Sequence, residues 1–553
     1  MPPTSSAPRR RYPLRRLLRA NLYDLGLLLD ESRLVLAGFG LVALVSTAYL
    51  GLFYRPGPGG ERPGGLAEAL YETLKLLTLQ SGLAFPQDLP GQVIFFLTPL
   101  LGLALIFQSV LNFGRLLLDK GSRREAWQVS LASTYRDHVI VCGLGRLGMR
   151  VVDQLVVAGY EPVVVELDWG SEFVQRTLEA RVPVVPGDAR EPTTLRRAGV
   201  QRARALVAAV NDDMLNVEIA LTARALRPDL RVILRIFNDE LDEHLERSLG
   251  PNSAFSASAL AAPTFAAAAI SRDIDHVLPL DGVLLAVTQP ATGPDVASAV
   301  AEARGLQVLH RPAPGLHAPG GGQATVIGTL PAIAALQGPG APERAPGPAG
   351  DAAPTVIVCG LGKVGYRVVR QLHRLTPRPR IVVVRMGDGR AEFPQKISQL
   401  EGVTTVIGDA RDIAVLRRAG LDQAYSVAAL TSDDLLNLQI GLAARSHRPD
   451  MHIVLRTFSD ALAEKLTDLV GIRTTYSTSA LAAPTLAAAA VLGDVRHAFC
   501  AAGQLFSSAS LMLHAAHPFA GRRVAEVRAA HGVLVIGLRR AGALAALPAP
   551  GTP

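Results

Sequence analysis

Residues 139–155 read VIVCGLGRLGMRVVDQL, and residues 356–372 read VIVCGLGKVGYRVVRQL. Aligned without gaps, 13 of the 17 positions are identical. Each copy is an apolar run that enters a Gly-x-Gly-x-x-Gly turn and continues as an amphipathic helix. Strand, glycine turn and helix in that order form the phosphate-binding start of a mononucleotide or dinucleotide fold. The first glycine permits the tight turn, the second lets a phosphate approach the backbone, and the third lets helix and strand pack closely. Backbone N–H groups at the helix start then point at the anion, and the helix dipole favours its charge.

Working outward, the two copies stay in step. Apolar runs at 139–142, 163–165, 182–185, 205–210 and 231–237 alternate with helical stretches; those at 356–359, 381–384, 404–407, 426–430 and 452–458 repeat the plan. Alternating βα units predict a parallel sheet covered on both faces. Gly187-Asp188-Ala189-Arg190 matches Gly408-Asp409-Ala410-Arg411, LRRAG recurs at 195–199 and 416–420, and Ser-Ala-Leu-Ala-Ala-Pro closes both copies at 258–263 and 479–484. This is a duplicated domain. A small α+β module trails each copy, and a Pro/Gly/Ala-rich linker at 336–354 has too little apolar content to bury a core.

The acidic residue that ends the second strand is the ribose reader of such folds, and Glu166 lies 23 residues past Gly143. The second copy has Arg385 there, which cannot accept from ribose hydroxyls but can meet a 2′-phosphate or another anion. The first copy is therefore expected to be the ribose-reading site, and the second to take a different ligand or none. Asp188 and Asp409 follow the third strands, at the edge where ligands bind. Ligand contact and helix N-capping are both open to them. No nucleophile with its base and no Cys/His metal spacing accompanies the loops, so no catalytic residue and no metal ligand is assigned. His138, His244, His310 and His317 form no repeated pattern.

A chain of 553 residues exceeds one ordinary core, and its 49% hydrophobic content with positive mean hydropathy asks for lipid-facing or unusually apolar parts. Residues 34–54 carry no charge over 21 positions, and 89–114 are uncharged as well. At about 1.5 Å per residue either reaches across a bilayer core of roughly 30 Å. Seven arginines precede the first run, and Arg115, Lys120, Arg123 and Arg124 follow the second; the loop between is mixed in sign. Both termini are expected in the cytoplasm of a multi-pass protein of the cell membrane. The net charge of +8 is concentrated in that leader, and only 5% of residues are aromatic, so no nucleic-acid partner is expected. Three cysteines make no disulfide framework. Residues 66–80 have helical apolar spacing and are broken by Ser81-Gly82 and Pro86, which gives the order of a pore-loop protein: span, short helix, breaker, span.

With these motifs in place, the chain resembles the RCK family, also called the TrkA-N type, whose domains regulate potassium conductance. The stretches that carry the resemblance are VIVCGLGRLG, VVVELD, GDAR and VAAVNDDMLN, with VIVCGLGKVG, VVVRMG, GDAR and VAALTSDDLLN in the second copy. The trailing modules resemble TrkA-C, and two spans before tandem RCK units resemble prokaryotic ligand-gated potassium channels. The resemblance implies an α-helical two-span membrane domain with a pore-loop-like segment, followed by duplicated α/β Rossmann-like domains, each with a small α+β module. The expected divisions are a leader at 1–33 and a membrane part at 34–120 with spans 34–54 and 89–114 and a pore loop at 66–86. RCK domains at 137–275 and 355–495 follow, with modules at 276–335 and, in part, 496–545.

The resemblance further implies NAD(H) or another adenine nucleotide on Gly143, Leu144, Gly145, Arg146, Gly148, Glu166, Asp188 and Ala189 of the first copy. The second-copy counterparts are Gly360, Gly362, Lys363, Gly365 and Asp409. It implies a homotetramer in the lipid bilayer, with a monovalent cation, potassium first, as the permeant ion. Pro99 and Gly102 become bending or packing points of the second span. A potassium filter reads Thr-Val-Gly-Tyr-Gly; Thr78-Leu79-Gln80-Ser81-Gly82 keeps only its ends. Three functions follow in order: a ligand-gated cation channel; a non-conducting nucleotide sensor serving a separate transporter subunit; and, last, a membrane-tethered NAD-dependent oxidoreductase. The first two are not enzymes.

Overall fold

The computed structural model describes residues 33–56, 61–118, 120–289, 306–310, 324–336, 353–387, 392–540 and 542–552. The arginine-rich leader up to residue 32, nearly all of the 336–354 linker and parts of the first trailing module lie outside the described residues. Two compact units make up the chain, one mainly 11–134 and the other mainly from Tyr135 onward.

The first unit is helical. Helices Arg33–Leu52, Leu66–Leu77 and Leu89–Leu118 pack together, followed by Lys120–Ser133. Small polar groups join them inside: Ser46 Oγ lies 2.7 Å from Thr98 Oγ1, and the Tyr54 hydroxyl donates to Ala84 O at 2.6 Å. Gly102 is a packing glycine, since a Cβ there would fall 2.9 Å from the Leu77 carbonyl oxygen. One described helix segment, Leu89–Gln108, is long and apolar enough to cross a membrane; the apolar run of the first helix, Ala37–Leu52, is shorter. The expected second span thus has its helix, whereas the expected first span of 34–54 meets the length only in part. Leu41, Leu44, Phe96, Leu100, Leu103 and Phe107 stand exposed along these helices.

The filter-like stretch closes the short helix. Leu79 N–H donates to Leu76 O at 3.1 Å and Gln80 N–H to Lys75 O at 2.8 Å, the paired bonds of a Schellman cap. The position that must be left-handed is Leu79, with φ 60°. Glycine belongs there, and leucine crowds its own carbonyl. Thr78 through Gln80 therefore serve as a helix terminus, with Ser81 Oγ donating to Glu72 Oε2 at 3.3 Å. Leu79→Gly is expected to stabilise the detergent-solubilised chain by about 1 kcal/mol, because the strained side chain is 71% exposed and little packing is lost. A thermal midpoint that fails to rise would contradict this account of the cap.

The second unit holds both copies. Strands β1 (Val139–Cys142), β2 (Pro162–Glu166), β3 (Val184–Pro186), β4 (Ala205–Ala208), β5 (Arg231–Arg235) and β6 (Ala254–Phe255) form one parallel sheet in the order β3-β2-β1-β4-β5-β6. Strands β7 (His276–Leu280), β8 (Val283–Thr288), β9 (Gln307–His310) and β10 (Thr325–Thr329) build the antiparallel sheet of the first trailing module. Strands β11 (Thr355–Cys359), β12 (Arg380–Arg385), β13 (Val403–Ile407), β14 (Ser426–Ala429), β15 (His452–Arg456) and β16 (Thr475–Tyr476) repeat the first sheet. Hairpins β17 (His497–Ala501)–β18 (Gln504–Ser508) and β19 (Gly537–Arg540)–β20 (Ala543–Ala546), with helix Val524–His531 between, make the smaller second module. Cys142 and Cys359 end central strands with no exposure, and burial pushes the Cys359 thiol up to about 12.

The copies close over each other. Helix Ala257–Ile270 packs on helix Lys363–His373, and helix Thr478–Leu492 packs on helix Arg146–Val157. Ala261, Phe265 and Ala269 thereby join Val358, Val368 and Leu372 in one core. Full burial of Phe265 contributes about 2 kcal/mol. Polar groups fix the crossing: Ser426 Oγ donates to Ala269 O at 2.5 Å, and Arg231 Nε donates to Ala489 O at 2.6 Å. The trailing modules also share a core, with Leu285 and Ile327 against Phe499.

Candidate nucleotide clefts

The strand order reverses between β1 and β4, and again between β11 and β14, and each Gly-rich loop lies at the carboxyl end of that reversal, where such sheets bind ligands. Gly143 turns the chain with φ 90°. A Cβ on Gly148 would lie 1.9 Å from Gly143 O, so only glycine lets the helix start this close. Gly145 and Gly362 differ from these: a Cβ on either would meet nothing within 4 Å. Protein packing does not demand glycine there, and the open space lies at the start of a helix of 12 or 11 residues. That space suits a phosphate resting on the loop.

Glu166 leans over its loop. Its Oε2 accepts from Leu144 N–H at 2.5 Å and its Oε1 from Asp168 N–H at 2.9 Å. The carboxylate is thus held against the glycine loop at the end of β2. In the second copy Arg385 turns its Nη1 to the carbonyls of Met386 and Gly387 at 3.0 and 3.4 Å, and its buried Nε meets no partner among the described residues.

Asp188 and Asp409 are not helix caps. Each receives a two-pronged guanidinium: Arg190 Nε and Nη2 reach Asp188 at 3.1 and 2.6 Å, and Arg411 repeats both distances on Asp409. The arginine bonds hold both carboxyls below the usual carboxylate range. The cap role in the second copy belongs to Asp412, which accepts from Ala414 N–H at 2.8 Å. Ala189 is a core residue.

Several site residues carry no assignment in the sequence reading. Asp213 Oδ2 accepts from the N–H of Phe237 and Asn238 at 2.9 and 3.1 Å, gripping the loop after β5. Asn216 straps the ends of β4 and β5 by bonding Val210 and Arg235, and Asn437 does the same with Thr431 and Arg456. Phe237 and Phe458 cross to the opposite copy. The Lys363 ammonium stands 4.4 Å from the Phe237 ring centre, and the Arg146 guanidinium 4.0 Å from that of Phe458. Their signal was recurrence in both copies: Asp-Asp-x-Leu-Asn at 212–216 with 433–437, and Arg-x-Phe at 235–237 with 456–458. Periodicity reads those stretches only as helix and strand.

A cleft of about 700 Å³ opens at the second-copy loop and reaches into the first copy. Gly360, Gly362, Lys363, Arg385, Asp409 and Arg456 line it from one side, and Asn211, Asp213, Arg235 and Phe237 from the other. Burial lowers the Arg456 guanidinium to about 10 despite Asp434 nearby, with Arg146 and Arg235 acting in the same direction. Among the described residues no group of three or more His, Cys, Asp or Glu gathers to hold a metal.

The family model for the TrkA-N domain matches residues 139–257 and again 356–478. Potassium channel protein 1 of Methanocaldococcus jannaschii is 28% identical over 101 residues, 18% of this chain and 30% of that one. The chain spans under a third of the length of the curated relatives it matches first. A solved structure titled "GsuK Channel" aligns with TM-score 0.57 and 19% identity over 96% of this chain and 95% of that one. A second, titled "GsuK channel bound to NAD", aligns with TM-score 0.53 at the same identity and coverage. These two alignments speak for the fold alone. Residues 139–257 and 356–478 are two copies of the TrkA-N domain.

Proposed function

We propose that the chain is a ligand-gated potassium channel of the cell membrane, whose tandem RCK domains bind an adenine nucleotide and control conduction. The observation that carries this reading is the open space at Gly145 and Gly362 beside Glu166 and Arg385, two anion-receiving loops duplicated in one chain that also holds an apolar helix of membrane length. One neighbour of this fold is titled as NAD-bound, and a matched relative is named a potassium channel. In the proposed assembly four copies surround a pore, helices 33–52 and 89–118 span the bilayer with their exposed leucines and phenylalanines toward lipid or another copy, and both termini are cytoplasmic. Nucleotide is a regulator, so no turnover of NADH is expected.

Purified protein in planar bilayers is expected to carry potassium current that changes when NAD⁺ or ADP is added to the cytoplasmic side. Bilayers silent under both nucleotides would favour the second reading, a non-conducting sensor that serves a separate transporter subunit. The Schellman cap at Thr78–Gln80 is the observation in favour of that alternative, because it places a helix terminus where a channel has a row of ion-stripping carbonyls.

A further inference from the structure

The two clefts are built for different ligands. Resting on the nucleotide-binding reading above, we propose that the second-copy cleft takes a nucleotide phosphorylated on its ribose 2′-oxygen, while the first copy takes one with a free ribose diol. Glu166 and Arg385 occupy the same place, the end of the second strand, with opposite charge. A carboxylate there accepts from ribose hydroxyls; a guanidinium there repels no phosphate and donates to it in a planar fork.

The rest of the cleft agrees with an anion of several charges. Arg235, Arg385, Arg456 and Lys363 line it, Arg411 being already matched by Asp409. Asp213 is the other carboxylate in the lining, and it is occupied by two backbone N–H groups. The buried Nε atoms of Arg385 and Arg456 have no hydrogen-bond partner among the described residues. A buried guanidinium N–H without an acceptor is costly, and a bound phosphate supplies the missing acceptor. The volume of about 700 Å³ suits a dinucleotide. Its pyrophosphate would rest on the Gly362 loop, its 2′-phosphate at Arg385, and its far end between Arg235 of the first copy and Arg456 of the second.

Calorimetric titration of the full chain in detergent with NADP⁺ and NAD⁺, which differ only in the 2′-phosphate, tests this. NADP⁺ is expected to bind a site that Glu166→Ala leaves intact. Arg385→Ala should weaken that binding by at least about tenfold while leaving NAD⁺ binding unchanged. Arg385→Lys should restore part of it, which separates lost charge from lost fold. NADP⁺ binding that ignores Arg385→Ala, or no preference for NADP⁺ over NAD⁺ at the Glu166→Ala protein, overturns the inference. A cleft that binds ATP with the same dependence on Arg385 but not NADP⁺ also overturns it. If neither nucleotide binds the wild type, the nucleotide-binding reading itself fails, a distinguishable result.

Discussion

Gly145→Asp is expected to weaken nucleotide binding at the first copy by at least about a hundredfold while the protein remains folded. A side chain at 145 meets no protein atom within 4 Å of its Cβ, so packing does not resist it. Its carboxylate would fill the space kept for phosphate and set a negative charge against the ligand's own. Gly148→Ala, three residues on, should do the reverse. Its Cβ would sit 1.9 Å from a backbone oxygen, so helix Arg146–Val157 must move, at a cost of about 3 kcal/mol. That helix also carries helix Thr478–Leu492 of the other copy, and the disturbance would spread to both. Binding and thermal melting measured on both variants separate the two roles. A Gly145→Asp protein that binds NAD⁺ like wild type would remove the first-copy site.

Acid is expected to loosen the contact between the trailing modules. His276 Nε2 and His497 Nε2 lie 2.7 Å apart, buried, with the His276 ring stacked on Phe499 at 5.0 Å. One ring must donate and the other accept, so the pair holds only while at least one of them is neutral. Burial lowers His497 to about 4 and His276 well below 6.5, the second assisted by its neighbour. Because the folded values are depressed, the unfolded chain binds more protons in this window. Stability from the pair is therefore full above about pH 6.5 and is lost as pH falls toward 4. His497 alone accounts for roughly 2–3 kcal/mol by pH 4.5. Asp275 acts oppositely, since burial raises its carboxyl to about 6, and its stabilising contribution is lost as pH rises through that value. Comparing wild type with the His276→Gln/His497→Gln double variant isolates the pair. The wild type should lose more of its thermal midpoint between pH 7.5 and 4.5, and parallel losses would refute the assignment.

The sequence reading passed over that pair, although its spacing repeats. Each histidine lies 13 residues past the proline of its Ser-Ala-Leu-Ala-Ala-Pro segment, from Pro263 to His276 and from Pro484 to His497. The contrast between Glu166 and Arg385 was visible, because the second strand is short, apolar and ends at a fixed distance from the glycines. Asp188 and Asp409 show the opposite case. Spacing places them before a helix at the ligand-binding edge, where ligand contact and a cap are equally allowed, and only the folded structure pairs them with Arg190 and Arg411 two residues on.

Local chemistry in the sequence determined the strand, glycine turn and helix of each copy, their duplication and the apolar membrane-length run, because these depend on neighbours a few residues apart. Which sheet each alanine-rich helix covers was a tertiary decision. Helices 257–270 and 478–492 are apolar on every face, so no stripe in their sequence points to a partner. Only the packed structure lays each on the other copy, brings Phe237 to Lys363 and Phe458 to Arg146, and so makes the second cleft a property of both halves.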